Sequence, residues 1–192
     1  VFDVSNLNTT NELLITKVST TFDNSESGLT QNVEVFYIEQ PYEGNEMSST
    51  NWISIFNGTV TAALAPTATI IDVEDFTLPI GASYGIYVHV DGAMDYTSAI
   101  NITQDVNLKF ETGKSICGTT SPFNGGALFV DRAINGAAYY KVINCETQRT
   151  QVNAIVNPNP ATPAVTDGER CGDGSVTVTA NGASADEEYR WY

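Results

Sequence analysis

The chain contains one histidine, His89, and histidine is the residue type that most often serves as a general base. It lies in the run IYVHV, where strand alternation places it on the face opposite Ile86, Val88 and Val90. We therefore interpret it as a solvent-facing or packed strand residue. No G-x-S-x-G nucleophile motif occurs, and no two of the 23 acidic residues stand out as a glycosidase pair. These observations predict a protein without enzymatic activity.

The three cysteines, Cys117, Cys145 and Cys171, indicate disulfide chemistry rather than a metal site. No two of them form a C-x-x-C pair, and the histidine is distant in sequence, so a zinc site is not expected. A Thr-, Asn- and Gly-rich acidic chain is typical of extracellular proteins, where disulfides persist. We predict that Cys117 pairs with Cys145, which would stabilise the fold by about 3–4 kcal/mol. Cys171 is then left without a partner.

Two acidic clusters supply the oxygen ligands that Ca²⁺ prefers. The run IDVED contains Asp72, Glu74 and Asp75, and DGAMD contains Asp91 and Asp95 around a glycine turn. Neither has the spacing of an EF-hand loop. A structural Ca²⁺ is one interpretation, and solvated acids in turns are the other.

Four aromatic residues are candidates for stacking against a glycan: Tyr42, Trp52, Tyr96 and Phe123. Tyr42 follows a proline in a polar segment and is expected to be the best exposed of the four. Trp52 stands among Glu, Asn and Ser residues, but it is also explained as the first residue of a core strand. Tyr96 adjoins an aspartate, and Phe123 lies in the Gly-rich segment 118–126.

The charge balance excludes two classes of partner. Eight Lys and Arg residues against 23 Asp and Glu residues give a net charge of −15 and a pI near 4.1. Such a surface repels nucleic acid and anionic lipid. No apolar run approaches the ~20 residues that span a bilayer. We expect an extracellular or cell-surface protein, and the opening run VFDVSNLNTT suggests a piece of a longer chain.

Alternation with a period of two runs through most of the sequence and predicts strands. The clearest runs are NVEVFYI (32–38), SYGIYVHV (83–90) and VNLKF (106–110). Further strand-like runs are 12–19, 51–56, 58–64, 67–73, 127–130, 137–143 and 150–156. No stretch of ten or more residues has a helical period. The sequence therefore predicts an all-β fold, a jelly-roll-like antiparallel β-sandwich.

A proline-rich segment, NPNPATPAV (157–165), divides the chain. Prolines cannot join a sheet interior and favour an extended spacer. We predict a β-sandwich domain over 1–157, and a linker with the N-terminal part of a second sandwich over 158–192. Within the second part, the alternation predicts strands over 175–180 and 188–192.

The C-terminal part resembles the first half of the Ig-like repeats of very large secreted and surface proteins of Bacteroidota. These repeats share a Pro-rich lead-in, then T-D-G-x-R-C-G-x-G-S-V-T-L-T-A, a variable loop and Y-x-W-Y. The matching residues are Thr166, Asp167, Gly168, Arg170, Cys171, Gly172, the run Gly174 to Ala180, Tyr189, Trp191 and Tyr192. The resemblance implies that Trp191 is a core aromatic and that Cys171 pairs with a cysteine in a later strand. It further implies that Val176, Val178 and Trp191 need a covering surface.

Residues 1–157 resemble a β-sandwich module of the same class of proteins. The phrases that carry this resemblance are VFDV, VEVFYI, FTLPIGASYGIYVHV and DRAINGAAYY, with Ile80 where the module usually has Ala and Ile134 where it usually has Trp. NCETQRTQVNAIVNP is similar to the exit phrase into the next repeat. No catalytic residue is implied.

The resemblance implies a structural and adhesive module of a long cell-surface adhesin. Such proteins include gliding-motility adhesins and other cargo of the type IX secretion system. The expected partners are neighbouring Ig-like repeats and, at a surface, glycans. The alternative is a carbohydrate-binding module of a secreted polysaccharide-degrading enzyme.

Overall fold

The fold is that of a computed structural model, which describes residues 1–118, 121–144, 164–183 and 188–190. The chain divides into two compact units, Val1–Thr147 and Gln148–Tyr192. The sequence predicts a boundary after residue 157, and the structure divides the chain after Thr147. Both positions lie in 145–163, outside the described residues.

The described part of the first unit is built from strands, with one short 3-10 turn at Asn24–Glu26. Its strands are β1 (Phe2–Asn6), β2 (Glu12–Thr20), β3 (Thr30–Ile38), β4 (Ile53–Thr61), β5 (Thr69–Leu78), β6 (Ser83–Val90), β7 (Tyr96–Thr97), β8 (Asn101–Gln104), β9 (Leu108–Thr112), β10 (Lys114–Cys117), β11 (Ala127–Val130), β12 (Ala133–Ile134) and β13 (Gly136–Ile143). Among the described residues, no helix has the length and apolar character that a membrane crossing requires.

The two main sheets are antiparallel throughout. One has six strands in the order β4-β3-β6-β1-β9-β8, and the other has three in the order β13-β2-β5. The unit also contains two two-stranded ribbons, β10-β11 and β12-β7. The predicted all-β antiparallel sandwich is confirmed.

The core lies between these two sheets and follows the alternation of the sequence. On β5, Ile71 and Val73 are buried, whereas Ile70 and Asp72 on the opposite face are exposed. From the other sheet, the inward residues of β1, β3, β6 and β9 join the same apolar cluster. These inward residues are Phe2, Val4, Val33, Val35, Tyr84, Ile86, Val88 and Leu108. Their burial is the main stabilising contribution to the sandwich.

One pair of predicted strands is a single strand. The runs 51–56 and 58–64 form β4, because Asn57 and Gly58 do not turn but continue the pairing with β3. They lie opposite Glu34 and Val33. The predicted run 150–156 lies outside the described residues.

The central strand β6 is buried on both faces, because the 39–52 segment between β3 and β4 folds over the outer face of the six-stranded sheet. A Cβ atom added at Gly85 would lie 2.9 Å from Ile38 and from Tyr42. The absence of a side chain at this position therefore lets the segment lie against the strand. The amide of Gly85 donates to the carbonyl of Gln40 at 2.8 Å.

The described part of the second unit contains β14 (Ala164–Thr166) and β15 (Thr179–Asn181), paired antiparallel. The prediction of a strand over 175–180 is right only for its last two residues, and residues 188–190 are not a strand. Val176 and Val178 are 45% and 47% exposed, so the described residues do not supply the cover that was expected for them. Trp191 and Tyr192 lie outside the described residues.

Candidate functional site

A groove opens where β3 ends and β4 begins, at the base of the 39–52 segment. It has a volume of about 450 Å³ and is lined by Ile38, Glu39, Gln40, Asn51, Trp52 and Ile53. The volume falls within the range of roughly 300–1,000 Å³ typical of small-molecule sites. Because β3 and β4 are antiparallel neighbours, residues 38–40 and 51–53 meet at the same end of the sheet.

Trp52 is held in a fixed orientation beside the groove. Its indole Nε1 donates to the carbonyl of Asn45 at 3.1 Å. The ring meets Tyr87 edge to face at a centroid distance of 5.8 Å, and it packs against Phe123 at 5.5 Å. An aromatic ring held by such contacts loses little entropy when a ligand packs against it. The structure thus brings together two of the four aromatic residues that were predicted to stack on a glycan, Trp52 and Phe123.

Tyr87 is the centre of this aromatic cluster, which consists of Phe36, Trp52, Tyr87 and Phe123. It is 3% exposed and contacts Phe36 at 6.4 Å and Phe123 at 4.5 Å, besides Trp52. Burial raises the pKa of its hydroxyl, an effect that the nearby amide of Phe123 partly offsets. The cluster is a second, smaller apolar centre on the outer face of the six-stranded sheet.

The polar side chains that line the groove are free to bind. Glu39, Gln40 and Asn51 are exposed. Among the described residues, none of these side chains has a hydrogen-bond or ion-pair partner, in contrast to the neighbouring Asn45, whose amide donates within the segment. Asn51 has φ +68°, a left-handed conformation that asparagine tolerates better than most residues. The amides offer donors and acceptors, and the carboxylate offers acceptors.

The exposure expected for Tyr42 is wrong, since its side chain is only 7% exposed. Its backbone amide donates to Asp3 Oδ1 at 2.9 Å, and the Lys114 ammonium lies 5.7 Å from its ring centroid. Burial raises the pKa of its hydroxyl to about 12. Tyr42 fastens the 39–52 segment to the sheet, so we assign it a structural position rather than a stacking surface.

The Asp3 carboxylate accepts a hydrogen bond from the 39–52 segment, but burial disfavours its charge. The stability of the fold should therefore depend on pH. Burial, only partly offset by the Tyr42 amide, raises the pKa of Asp3 from 3.8 to about 6. Between these two values the folded state binds more protons than the unfolded state, so stability falls as pH rises through this window. Asp3→Asn keeps the acceptor oxygen and removes the charge. With allowance for solvent screening, we expect it to raise the free energy of unfolding by about 1–2 kcal/mol at pH 7.5.

Urea denaturation of both proteins at several pH values measures this effect. The difference is expected to shrink as pH falls through 3.8 and to disappear at about pH 3, where the carboxyl is protonated in both states. Asp75→Asn, on an exposed residue, controls for the loss of one negative charge. Equal stabilisation by the two variants would contradict the assignment of the effect to Asp3.

Tyr96 has a different environment from the aromatic cluster. It is 45% exposed on β7, and the Arg132 guanidinium lies 4.1 Å from its ring centroid and 5.1 Å from that of Phe129. These are cation–π contacts. Among the described residues, no ring contact joins Tyr96 to Trp52 or Phe123.

The predicted Ca²⁺ ligands are dispersed. Asp72 is 3.5 Å from Lys17 Nζ on the exposed face of the three-stranded sheet, where Glu74 and Asp75 are also exposed. Asp91 accepts from Asn32 at 2.7 Å, and Asp95 accepts from Asn135 at 3.1 Å. Within the described ranges, no three His, Cys, Asp or Glu side chains form a group that could hold a metal ion.

Of the two interpretations of His89, solvent-facing or packed strand residue, the structure shows the packed one. It is 6% exposed, and its Nδ1 lies 3.7 Å from Glu34 Oε2. Glu34 also accepts from Asn57 at 3.2 Å, while His89 Nε2 has no hydrogen-bond partner in the part of the chain that the structure describes. A general base must reach a substrate proton, and burial keeps this imidazole from doing so.

The structure describes two of the three cysteines, Cys117 and Cys171. Cys117 is exposed at the end of β10, and Cys145 lies outside the described residues, so their pairing stays a prediction. Cys171 is exposed and forms no disulfide with a described residue.

Sequence reasoning missed Gln40 and Asn51 in the groove, and Phe36 and Tyr87 behind Trp52. A signal for the last two exists, because β3 and β6 have apolar residues on both faces. A strand of that kind needs a cover on each side. Gln40 and Asn51 have no such signal, since their proximity depends on the register of β3 and β4.

Comparison of the chain with family models, curated proteins and solved structures found no match. The geometry alone therefore defines the site. It combines a fixed indole, an exposed isoleucine and three free polar side chains around an open groove. Such a surface can pack against the apolar face of a small polar ring and hydrogen-bond its hydroxyl groups.

Proposed function

We propose that this chain is a non-catalytic adhesive module that binds carbohydrate through the groove beside Trp52. The observation that carries the proposal is the combination of a fixed aromatic ring with polar side chains that have no partner of their own in the described structure. A sugar ring has apolar C–H faces and a rim of hydroxyl groups. It can satisfy both parts of the groove at once.

The architecture supports the same proposal. The groove lies at one end of the antiparallel sandwich, where the pairing of β3 with β4 brings its lining residues together. The net charge of −15 disfavours nucleic acid and anionic polymers as ligands. The resemblance to modules of long Bacteroidota surface proteins adds the context of an adhesin exported by the type IX secretion system.

The second candidate is a carbohydrate-binding module of a secreted polysaccharide-degrading enzyme. The same groove supports it, and only the parent protein differs. A long series of further repeats in the full-length gene would favour the adhesin, whereas an adjoining glycosidase domain would favour the enzyme-associated module.

Binding of the full chain to an array of plant, algal and microbial glycans tests the proposal. For the best ligand, we expect Gln40→Ala to weaken binding about fivefold, the equivalent of one lost hydrogen bond of about 1 kcal/mol. The melting temperature should not change, since the Gln40 side chain is exposed and makes no bond to a described residue.

Gln104→Ala is the matched control, because Gln104 is exposed on β8 at the opposite edge of the six-stranded sheet. It should leave binding unchanged. Absence of binding across the array, or equal losses in the two variants, would overturn the assignment of the groove.

A further inference from the structure

The groove contains one charged side chain, and this charge has no counterion among the described residues. Glu39 is exposed directly after β3 and forms no ion pair with a described residue. Three of the cations in the first unit are already engaged with other carboxylates: Lys17 with Asp72, Lys109 with Glu111, and Lys114 with Glu43 and Glu46. Arg132 lies over Tyr96 and Phe129.

Further carboxylates increase the negative potential at this end of the sandwich. Glu39 and Glu74 both act on the Tyr37 hydroxyl, whose pKa is raised mainly by burial and further by these two charges. Glu39 and Glu12 act in the same way on Tyr84, again after burial. A ligand that brings a positive charge to this position gains Coulomb energy, and one that brings a negative charge loses it.

We propose that the groove selects amino sugars with a free, protonated amine over their neutral N-acetylated counterparts. In this arrangement the ammonium group pairs with the Glu39 carboxylate, and the apolar face of the sugar packs on Trp52 and Ile53. The ring hydroxyls hydrogen-bond to the amides of Gln40 and Asn51. This inference depends on the proposed function, since it names the class of sugar that the same groove takes.

The indole of Trp52 favours a cationic sugar for a second reason. An ammonium group near an indole is attracted by the negative potential of the ring face, and tryptophan is the most effective aromatic residue in this respect. Glu39 and Trp52 both line the groove, so a sugar bound there can contact both side chains. An acetyl group on the same nitrogen removes the charge and both attractions.

Glucosamine oligosaccharides and the N-acetylglucosamine oligosaccharides of the same length are the matched probes. Isothermal titration with the full chain, at a pH where the amine is protonated, should show about fivefold tighter binding of the free-amine form. This is the upper end of the range for an exposed ion pair. The preference should weaken as ionic strength rises, because salt screens an exposed charge pair.

Glu39→Gln should abolish the preference and leave the affinity for the N-acetylated form within twofold. Asp75→Asn is the control for net charge, because Asp75 is exposed on β5 and does not line the groove. It should keep the preference.

The outcomes separate this inference from the proposed function. If the N-acetylated form binds as well as the free amine, or if both variants reduce the preference equally, the selection by Glu39 is refuted while carbohydrate binding stands. If a lysine tetrapeptide competes as strongly as the amino sugar, the groove recognises a cation rather than a sugar, and the inference is refuted. If neither sugar binds and the array is also negative, the proposed function itself fails.

Discussion

Replacement of Tyr87 with alanine is expected to lower the free energy of unfolding by about 3 kcal/mol, the lower end of the range for a buried aromatic residue. Tyr87 is 3% exposed and contacts the rings of Phe36, Trp52 and Phe123. Its removal opens a cavity in the aromatic cluster and deletes three ring contacts. Each such contact is worth roughly 0.5–1.5 kcal/mol beyond the area that it buries.

The same variant should also weaken glycan binding, because Trp52 then loses one of the contacts that fix its ring. The chain has two tryptophans, Trp52 and Trp191. In a Trp191→Phe background, the fluorescence anisotropy of Trp52 reports its mobility directly. We expect lower anisotropy in Tyr87→Ala under native conditions, together with a lower urea midpoint.

Tyr87→Phe is the matched control, since it keeps the ring and removes only the hydroxyl. It should cost less than about 1 kcal/mol, and it should leave the anisotropy of Trp52 and glycan binding unchanged. A Tyr87→Ala protein with the urea midpoint of the parent would show that the cluster does not stabilise the sheet. A stable Tyr87→Phe protein that has lost binding would assign the effect to the hydroxyl instead of the packing.

The strands of the first unit were largely predictable because alternation records which side chains a sheet buries. On β3 and β6 the inward residues Val33, Val35, Ile86 and Val88 have period two, and all four are in the core. The same pattern over 175–180 yields a strand only at Thr179–Asn181. Alternation indicates which face a strand would bury, but a strand also needs a partner for its backbone hydrogen bonds. Within the described residues, that partner is β14, which is three residues long.

The groove was only half predictable, because its members depend on contacts between distant residues. Trp52 could be identified by type and polar surroundings. The polar sequence around Tyr42 suggested exposure, yet the residue is buried by contacts with Asp3 and Lys114, 39 and 72 positions away in sequence. Local polarity describes neighbours along the chain, whereas burial depends on which strand the segment crosses. Nothing in the local sequence indicates that the 39–52 segment folds onto β6.

Replacement of Lys114 with methionine is the second change with a large expected effect. The Lys114 ammonium lies 2.6 Å from Glu46 Oε1 and 2.7 Å from Glu43 Oε1. Glu46 is 4% exposed, so the loss of the cation leaves a buried carboxylate without its partner. We expect the free energy of unfolding to fall by about 3 kcal/mol, in line with other buried pairs that lose one member. The methionine side chain keeps the apolar stem, so lost packing contributes little.

This effect should depend on pH in a defined direction. Although burial opposes ionisation of Glu46, the hydrogen bond from Lys114 and the other favourable contacts hold its pKa below the usual 4.5 in the parent protein. The stabilisation by this carboxylate is therefore present above pH 4.5 and is lost as pH falls through the lowered pKa. In the variant, an unpaired buried Glu46 takes up a proton more readily, which relieves the penalty. The difference between the two proteins should thus be largest near neutral pH and shrink in acid.

Two further variants separate the buried pair from charge in general. Lys17→Met removes the exposed pair with Asp72, whose atoms are 3.5 Å apart, and should cost less than about 0.5 kcal/mol. The double variant Lys114→Met with Glu46→Gln replaces the stranded charge by a neutral group, and it should recover at least half of the lost stability, as urea denaturation at pH 7.5 would show. If the double variant is as unstable as Lys114→Met alone, the loss comes from packing around residue 114. In that case the stranded charge on Glu46 does not account for the lower free energy of unfolding.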